Sequence, residues 1–349
     1  MIELKIHKKN SAVIMTSRIR LARNLAGLRF SNAADSADLS RVFEKCAAAL
    51  AKTRKFKGGT LVKMSEISDF GKGILLEERH ATHELVRASE HAGVFISKDG
   101  TASAMINEED HLRIQAVAKG QCLNAIWRVV NAIDDSVEAD VEYAFGENIG
   151  YLTACPTNVG TGMRASLMMH LPALVISEQI EKIVRGLNQL GMVMRGANGE
   201  GSDSYGAFFQ LSNQQTLGMS EGDIIKKIIK FGGKLVEFET NARLKLLQQN
   251  PIVLVDKFSR SIAILKNCKL IDTAEAISLL SNIRLAADMG FCKNPASVIE
   301  SVDAAMLDVQ PSHLQQKFNI RESEAGERDA VRASFLNGFA DKLPEISVK

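Results

Sequence analysis

From Ser220 onward the sequence reads as helix alone, whereas the residues before it mix strand and helix signals that do not alternate. Strict alternation is the mark of a doubly wound parallel sheet. Its absence predicts an α+β domain, a largely antiparallel sheet flanked by helices, followed by an all-helical carboxy-terminal domain. Short β-rich segments fall at residues 60–64, 94–97, 102–107, 151–155, 192–195 and 207–212, with helices expected at 121–132 and 177–190. Asp35 or Ser36 caps an earlier helix whose apolar stripe of Leu39, Val42, Phe43, Cys46 and Leu50 has helical spacing and faces a core. Ser220, Glu221 and Asp223 open a long helix that Asn250-Pro251 stops. Further helices run over 273–289, closed by Gly290, from Pro295 on, past Pro311, and over 325–341. The boundary falls near residue 245, which divides the chain into 1–245 and 246–349.

Charge and cysteine content exclude several classes. Forty-three Lys and Arg stand against forty-one Asp and Glu, a net charge of +2, so no global field points to nucleic acid or to an acidic membrane surface. The five cysteines lie far apart without any C-x-x-C, which argues against a disulfide framework or a zinc ribbon and for a reduced, cytoplasmic setting. The amino terminus has no apolar run of signal-peptide type, and the longest apolar stretch, 168–176, is broken by His170 and Pro172. Neither secretion nor a membrane span is expected.

The arginines carry the chemistry. They recur beside glycines, turns and strand ends in four segments: Thr16-Ser17-Arg18-Ile19-Arg20 with Arg23, Asn107-Glu-Glu-Asp110 with Arg113, Cys155-Pro-Thr-Asn158 with Arg164, and Arg195 with Glu200. A guanidinium is a permanently charged planar fork matched to phosphate oxygens, so several converging arginines can hold a nucleoside triphosphate where no lysine P-loop exists. Gly160-Thr-Gly162-Met-Arg164-Ala165 fits the G-x-G-x-x-A dinucleotide pattern but lacks its βαβ setting, which leaves a glycine loop feeding a helix amino terminus as a phosphate site. Cys155, at the end of a strand and near arginines, would have a lowered pKa and could pair with His111 or His170 as a hydrolase nucleophile. His80, His83 and His91 suggest a metal cluster, but no thiolate or close third ligand accompanies them, and no residue is assigned to a metal.

Taken together and in this order, these segments resemble the phosphagen (guanidino) kinase family and, closer still, its bacterial protein arginine kinase branch. The likeness runs from about residue 11 to residue 239 and is most specific over 155–174. It implies that 1–245 is an ATP:guanidino phosphotransferase catalytic domain, with ATP and Mg²⁺ as cofactors. The implied nucleotide contacts are Thr16, Ser17, Arg18, Ile19, Arg20, His80, Arg113, then Arg164, Ala165, Ser166, Leu167, Met168, and Arg195, Gly196, Ala197, Asn198, Gly199. Glu109 and Glu200 are expected to hold the acceptor guanidinium with Cys155 against it. These roles suit a guanidinium, which has donors only and must lose a proton to a carboxylate as it attacks.

The chain departs from small-molecule phosphagen kinases in having only fifteen residues before Thr16, where those enzymes carry a helical domain with a loop that closes over free guanidino acids. An open acceptor site suits an arginine on a protein. Within 246–349, Arg328-Asp329-Ala-Val-Arg332-Ala333 matches the branch's phosphoarginine-binding motif, expected to present two forks on one helix face. Residues Ala197-Asn198 stand where a bulkier aliphatic-Tyr pair is usual. The resemblance thus implies phosphorylation of arginine side chains in proteins. Implied partners are substrates bearing exposed arginine, an activator protein, the protein-degradation machinery and a second copy in a homodimer. A kinase for a free guanidino metabolite and a non-catalytic phosphoarginine reader are the alternatives.

Overall fold

A computed structural model describes residues 12–88, 91–197, 204–320 and 325–345. Its first part contains β1 (Ile14–Arg23), α1 (Ser36–Lys52), β2 (Thr60–Lys63), α2 (Asp69–Glu77), α3 (His83–Arg87), β3 (Gly93–Ile96), β4 (Ala102–Ile106) and β5 (Leu112–Lys119). These lead into α4 (Leu123–Glu138), a small hairpin of β6 (Phe145–Gly146) and β7 (Gly150–Tyr151), β8 (Met163–His170), α5 (Pro172–Ile176), α6 (Ile180–Gln189), β9 (Met192–Gly196) and β10 (Phe208–Asn213). Helices α7 (Glu221–Gln249), α8 (Pro251–Asn267), α9 (Thr273–Asp288), α10 (Pro295–Asp308), α11 (Pro311–Phe318) and α12 (Ala325–Ala340) complete the chain.

Eight strands form one sheet in the order β2-β3-β4-β5-β1-β8-β10-β9, every neighbouring pair antiparallel. The expected α+β architecture with a helical carboxy-terminal part is what the chain adopts. Because side chains alternate across a strand, each central strand divides its residues between two environments. Ile19, Leu21, Ile114, Ala165 and Leu167 lie on one face, in the main core with residues of α1, α4 and α7. Helix α1 starts where Asp35 accepts from the Asp38 amide, and its stripe, Val42, Cys46 and Leu50, is fully buried.

Three central strands, β1, β5 and β8, are absent from the β-rich segments legible in the sequence. β8 is buried on both faces, so its run Met-Arg-Ala-Ser-Leu-Met-Met-His shows no alternation to read. One expectation is overturned with it: the Gly160–Gly162 loop feeds this central strand and not a helix amino terminus. Gly162, with φ of 62°, passes so close to β1 that a Cβ would stand 2.6 Å from the Ala22 carbonyl oxygen. The strand expected at 151–155 shrinks to Gly150–Tyr151, so Cys155 sits in a loop at the head of a single 3₁₀ turn, Pro156–Asn158.

On the other face of the sheet, α2 and α3 pack over β3 and β4 through Leu75, Ala81, Leu85, Val94 and Met105. At the opposite end of that face, Met168 and Phe208 meet α9, α10 and α12. Polar anchors fix the helical part in place. Buried Arg284 holds Asp303 at 2.7 Å, the Ala12 carbonyl oxygen at 2.9 Å and His170 Nδ1 at 3.1 Å. Glu239 accepts from the Ala173 and Leu174 amides and pairs with Arg243, which also binds Asp288. The Glu77 carboxylate at the end of α2 accepts from the Ser312 and His313 amides at the head of α11. Between its two covered ends this face of the sheet is open, and the arginines lie there.

Candidate active site

Strand register brings the arginines together. Arg18 and Arg20 are two apart on β1, and Arg20 faces Arg164 across to β8. Ala22, of the same parity, faces Arg113 on β5, while Gln210 on β10 faces both Met168 and Arg195. Directly opposed residues project to the same side. Arg18, Arg20, Arg113, Arg164 and Arg195, from four strands and separated by up to 177 positions in sequence, therefore share the open face. Arg23 has the other parity and is structural: buried, it pairs with Asp134 at 2.6 Å and lies 3.5 Å over the Tyr151 ring.

The cluster is charged against itself. Burial, then the like charges of Arg79, Arg113 and Arg164, pushes Arg18 down to about 9, and burial with Arg18, Arg113 and Arg164 pulls Arg20 well below its ordinary value. Arg164 is lowered by burial and by Arg195 and Arg113, with Cys155 acting the other way. The Nε donors of Arg20 and Arg164 are buried without a hydrogen-bond partner. Among the described residues, Arg18 and Arg164 reach only neutral acceptors, Gln210 Oε1 at 3.1 Å and Ser212 Oγ at 3.3 Å. Unmatched cations with idle donors on a sheet face make a site for a multiply charged anion.

A cavity of about 430 Å³ beside this face is lined by Arg20, Thr82, Glu84, Glu108, Glu109 and Arg113. The β4–β5 turn supplies its acids. Asn107 takes a φ of 55°, which asparagine tolerates, and donates to the Leu39 and His91 carbonyl oxygens, so the turn is held from outside. Glu108 is buried and takes Arg113 Nη1 on both carboxylate oxygens at 2.7 Å, with Thr82 Oγ1 donating at 2.7 Å. Burial opposes its charge, but Arg113, Thr82 and the Glu109 amide outweigh burial and hold Glu108 below the usual carboxylate range. Glu109 is exposed at the rim, and partial burial and then Asp110 push it up. Asp110 accepts from Asn24 Nδ2 and the Ala154 amide, both at 2.7 Å, which fastens the Cys155 loop to the turn carrying Glu109. A larger hollow of about 710 Å³ beside α4 contains none of these side chains.

Cys155 is half-buried, with Sγ 3.0 Å from Thr157 Oγ1. A Cys-His nucleophile is not formed. His111 accepts the Leu25 amide at Nδ1, and its Nε2 lies 2.8 Å from the Arg29 carbonyl oxygen. His170 is fully buried between Ser281 and Arg284. The three histidines of the suggested metal cluster serve different places: His80 Nε2 lies 3.9 Å from Glu78 and is lowered by burial, His83 starts α3, and His91 meets Ser36.

The remaining site expectations divide by strand parity. Thr16, Ser166 and Met168 share the open face with the arginines, whereas Ser17, Ile19, Ala165 and Leu167 turn into the core and offer no side chain to the cleft. Ser17 Oγ is instead spent on the Gly120 carbonyl oxygen and the Cys122 amide. Gly196 ends β9, and Ala197 packs against the helical part while its amide donates to the Phe208 carbonyl oxygen. Asn198, Gly199 and Glu200 lie outside the described residues. Arg79 and Glu84 were not singled out by the sequence. Glu108 was readable as part of the Asn107–Asp110 run, but nothing in the sequence places Arg79 beside Arg18.

In α12, Arg328 is half-buried, and Arg332 turns inward at 1% exposure. Its Nε donates to the Val309 carbonyl oxygen at 2.9 Å, and its Nη1 donates to the Ile271 carbonyl oxygen at 2.8 Å and to Asp329 at 2.5 Å. Ala333 is buried as well. The expected pair of forks presented together is thus corrected, since most of the Arg332 fork is committed to the helical core. Arg332→Ala would orphan two buried carbonyl groups, and a loss of about 2–4 kcal/mol in chemical denaturation is expected.

Comparison with known proteins agrees with this geometry. Residues 41–242 match the family described as ATP:guanido phosphotransferase, C-terminal catalytic domain, and residues 251–346 match the protein-arginine kinase McsB C-terminal domain. The chain is 42% identical over 331 residues to the protein-arginine kinase of Geobacillus stearothermophilus, covering 94% of this chain and 90% of that protein. It is 39% identical to the protein-arginine kinase of Bacillus subtilis (strain 168) over 93% of this chain and 89% of that one. Among solved structures, lombricine kinase superposes with a TM-score of 0.61 at 26% identity over 70% of each chain. The duplicated taurocyamine kinase from Schistosoma mansoni with bound transition state analog components superposes with the same score at 22% identity, over 76% of this chain and 38% of that one, a likeness of fold.

Proposed function

Because this chain belongs to the ATP:guanido phosphotransferase family, we infer that the arginine-lined face holds the phosphates of ATP while a carboxylate at its rim receives a protein's arginine. The enzyme phosphorylates arginine side chains in proteins, as its relatives' names and its second matched domain indicate. The observation that carries the site assignment is the set of unpaired guanidinium donors on one sheet face, with Glu109 exposed beside them.

The chemistry follows from what the residues can do. A guanidinium nitrogen attacks the γ-phosphorus in line, the N–P bond forms as the bond to the β–γ bridging oxygen breaks, and ADP leaves. The attacking nitrogen sheds a proton, and Glu109, raised above the usual carboxylate range, is the base that takes it. Glu200 is assigned to the same guanidinium by resemblance, and Cys155, tied to the Glu109 turn through Asp110, lies against it as an electrostatic neighbour. Arg18, Arg20, Arg113, Arg164 and Arg195 neutralise the transferring group, which needs positioning and charge more than covalent help. Glu108 holds Arg113 in aim.

Mg²⁺ is assigned to the nucleotide. Among the described residues no three acidic, His or Cys side chains gather into a cage, and Mg²⁺ commonly stays on phosphate oxygens and water while neutralising them. Arg328 and Asp329 are assigned to phosphoarginine recognition with Arg332 as their support, and the division of the chain is placed near residue 245. No helix among the described residues is long and apolar enough to cross a membrane, and the five cysteines are unpaired, which fits a cytoplasmic enzyme. An activator, the degradation machinery and a second copy remain partners proposed from resemblance.

Incubation with ATP, Mg²⁺ and an unfolded protein, followed by mass spectrometry under non-acidic conditions, should reveal phosphoarginine. Free arginine should be turned over with a much lower kcat/KM, because it lacks the remote contacts a polypeptide can bring to an open rim. Equal kcat/KM on free arginine would favour a metabolite kinase instead.

A further inference from the structure

We propose that Arg79 is a sixth arginine of the nucleotide site, reaching the ATP phosphates from the α2 wall and not from the sheet. The proposal rests on the ATP-site assignment above and adds a residue to it. Arg79 follows α2 in a left-handed conformation, φ 61°, and closes that helix as part of its C-terminal cap, which fixes its backbone.

The surroundings are visible. The Arg79 carbonyl oxygen accepts from Gln115 Nε2 at 2.7 Å, and the same Nε2 donates to Ser103 Oγ at 2.8 Å. Gln115 is the direct cross-strand neighbour of Arg20 and so stands on the open face. The backbone of Arg79 is therefore pinned at the open face, beside the cross-strand neighbour of Arg20. The preceding Arg79 amide closes onto the Leu76 carbonyl oxygen and that of His80 onto Leu75. Two residues upstream, Glu77 is clamped to the head of α11, so the end of α2 is held from both sides.

Electrostatics agrees with this placement. Arg79 is the first of the like charges that depress Arg18, ahead of Arg113 and Arg164, so its guanidinium adjoins the cluster. The surrounding protein lowers Arg79 itself, although the residue is exposed and open to a ligand. Among the described residues its guanidinium takes no ion pair. Arg79 therefore adds a cation to a face where the Nε donors of Arg20 and Arg164 have no partner among the described residues, and a multiply charged anion would complete the set.

Titration of the full-length protein with ATP and with adenosine separates the possibilities. Arg79→Asn removes the charge while keeping a residue that tolerates the left-handed turn, and Arg79→Lys keeps the charge; Arg79→Gly is the fallback should Asn perturb folding. Arg79→Asn should weaken ATP binding about tenfold or more, the scale of one lost charge-assisted contact, with adenosine binding unchanged and partial recovery in Arg79→Lys. KM for ATP should rise while KM for the protein substrate stays put. Equal weakening of ATP and adenosine would make Arg79 a structural residue, and unchanged ATP binding would place it outside the site; either result overturns the proposal. If the wild type bound no ATP, the site assignment itself would fail, a different outcome from both.

Discussion

Arg20→Gln should lower kcat/KM for ATP by roughly 10³-fold, the scale seen when a preorganised cation or donor aimed at a transferring group is lost. Arg20 is the centre of the cluster: its register neighbours are Arg164 on one side and Gln115 on the other, and Arg18 and Arg113 are close enough to depress it. Its Nε has no partner among the described residues, so its hydrogen-bonding capacity awaits a ligand. The same substitution should leave the unliganded protein as stable as the wild type or more so, because it removes a like charge from a crowded face. Single-turnover kinetics and thermal unfolding on the same preparation test both halves. A variant that lost activity and stability together would show that Arg20 is held by the fold and not strained against it.

Glu109→Gln should cut phosphoryl transfer by roughly 10²-fold or more, the usual cost of a missing general base, with ATP binding near normal. The pH profile carries the diagnosis. Glu109 must be deprotonated to accept the guanidinium proton, and burial with Asp110 raises its pKa, so activity rises with pH through a value above that of an ordinary glutamate. In Glu109→Gln the residual rate should lose this acid limb. Glu108→Gln should behave differently, raising KM for ATP, because Glu108 is the buried partner of Arg113 and does not face the rim. If Glu109→Gln turned over at the wild-type rate with its acid limb intact, the base would lie elsewhere. Glu200→Gln, assigned by resemblance, is expected to act on the same scale as Glu109→Gln.

How far the sequence reached can be traced residue by residue. Helix caps were legible because they are local: Asp35 and Ser220 each accept an amide from three residues on. The outer strands β2, β3, β4, β9 and β10 were legible in outline, whereas β1, β5 and β8 at the sheet centre were not. Arginine in β1 and β8 lies on a half-open functional face, and β8 is apolar on both sides elsewhere, so neither gives the alternation of a half-buried strand. The resemblance grouped Ser17, Ile19, Ala165 and Leu167 with their arginine neighbours, and without the strands nothing in the sequence separated them. Only the period of two, known once the segment is a strand, sends them to the core.

The sequence by itself determined the chemistry available: permanent forks for phosphate, carboxylates for a guanidinium, thiols without partners, and a helical second half. Residue type and short spacing suffice for that, because ionisation, donor geometry and capping are properties of a side chain and its nearest neighbours. Tertiary structure alone decided which arginines act together. Register set Arg18, Arg20, Arg113, Arg164 and Arg195 on one face and sent Arg23 to Asp134 on the other, while the fold committed Arg332 to two buried carbonyl groups and pinned Arg79 beside Gln115. The physical reason is that a guanidinium's role depends on the charges around it. Those come from strands and helices distant in sequence, and only folding places them within a few ångströms.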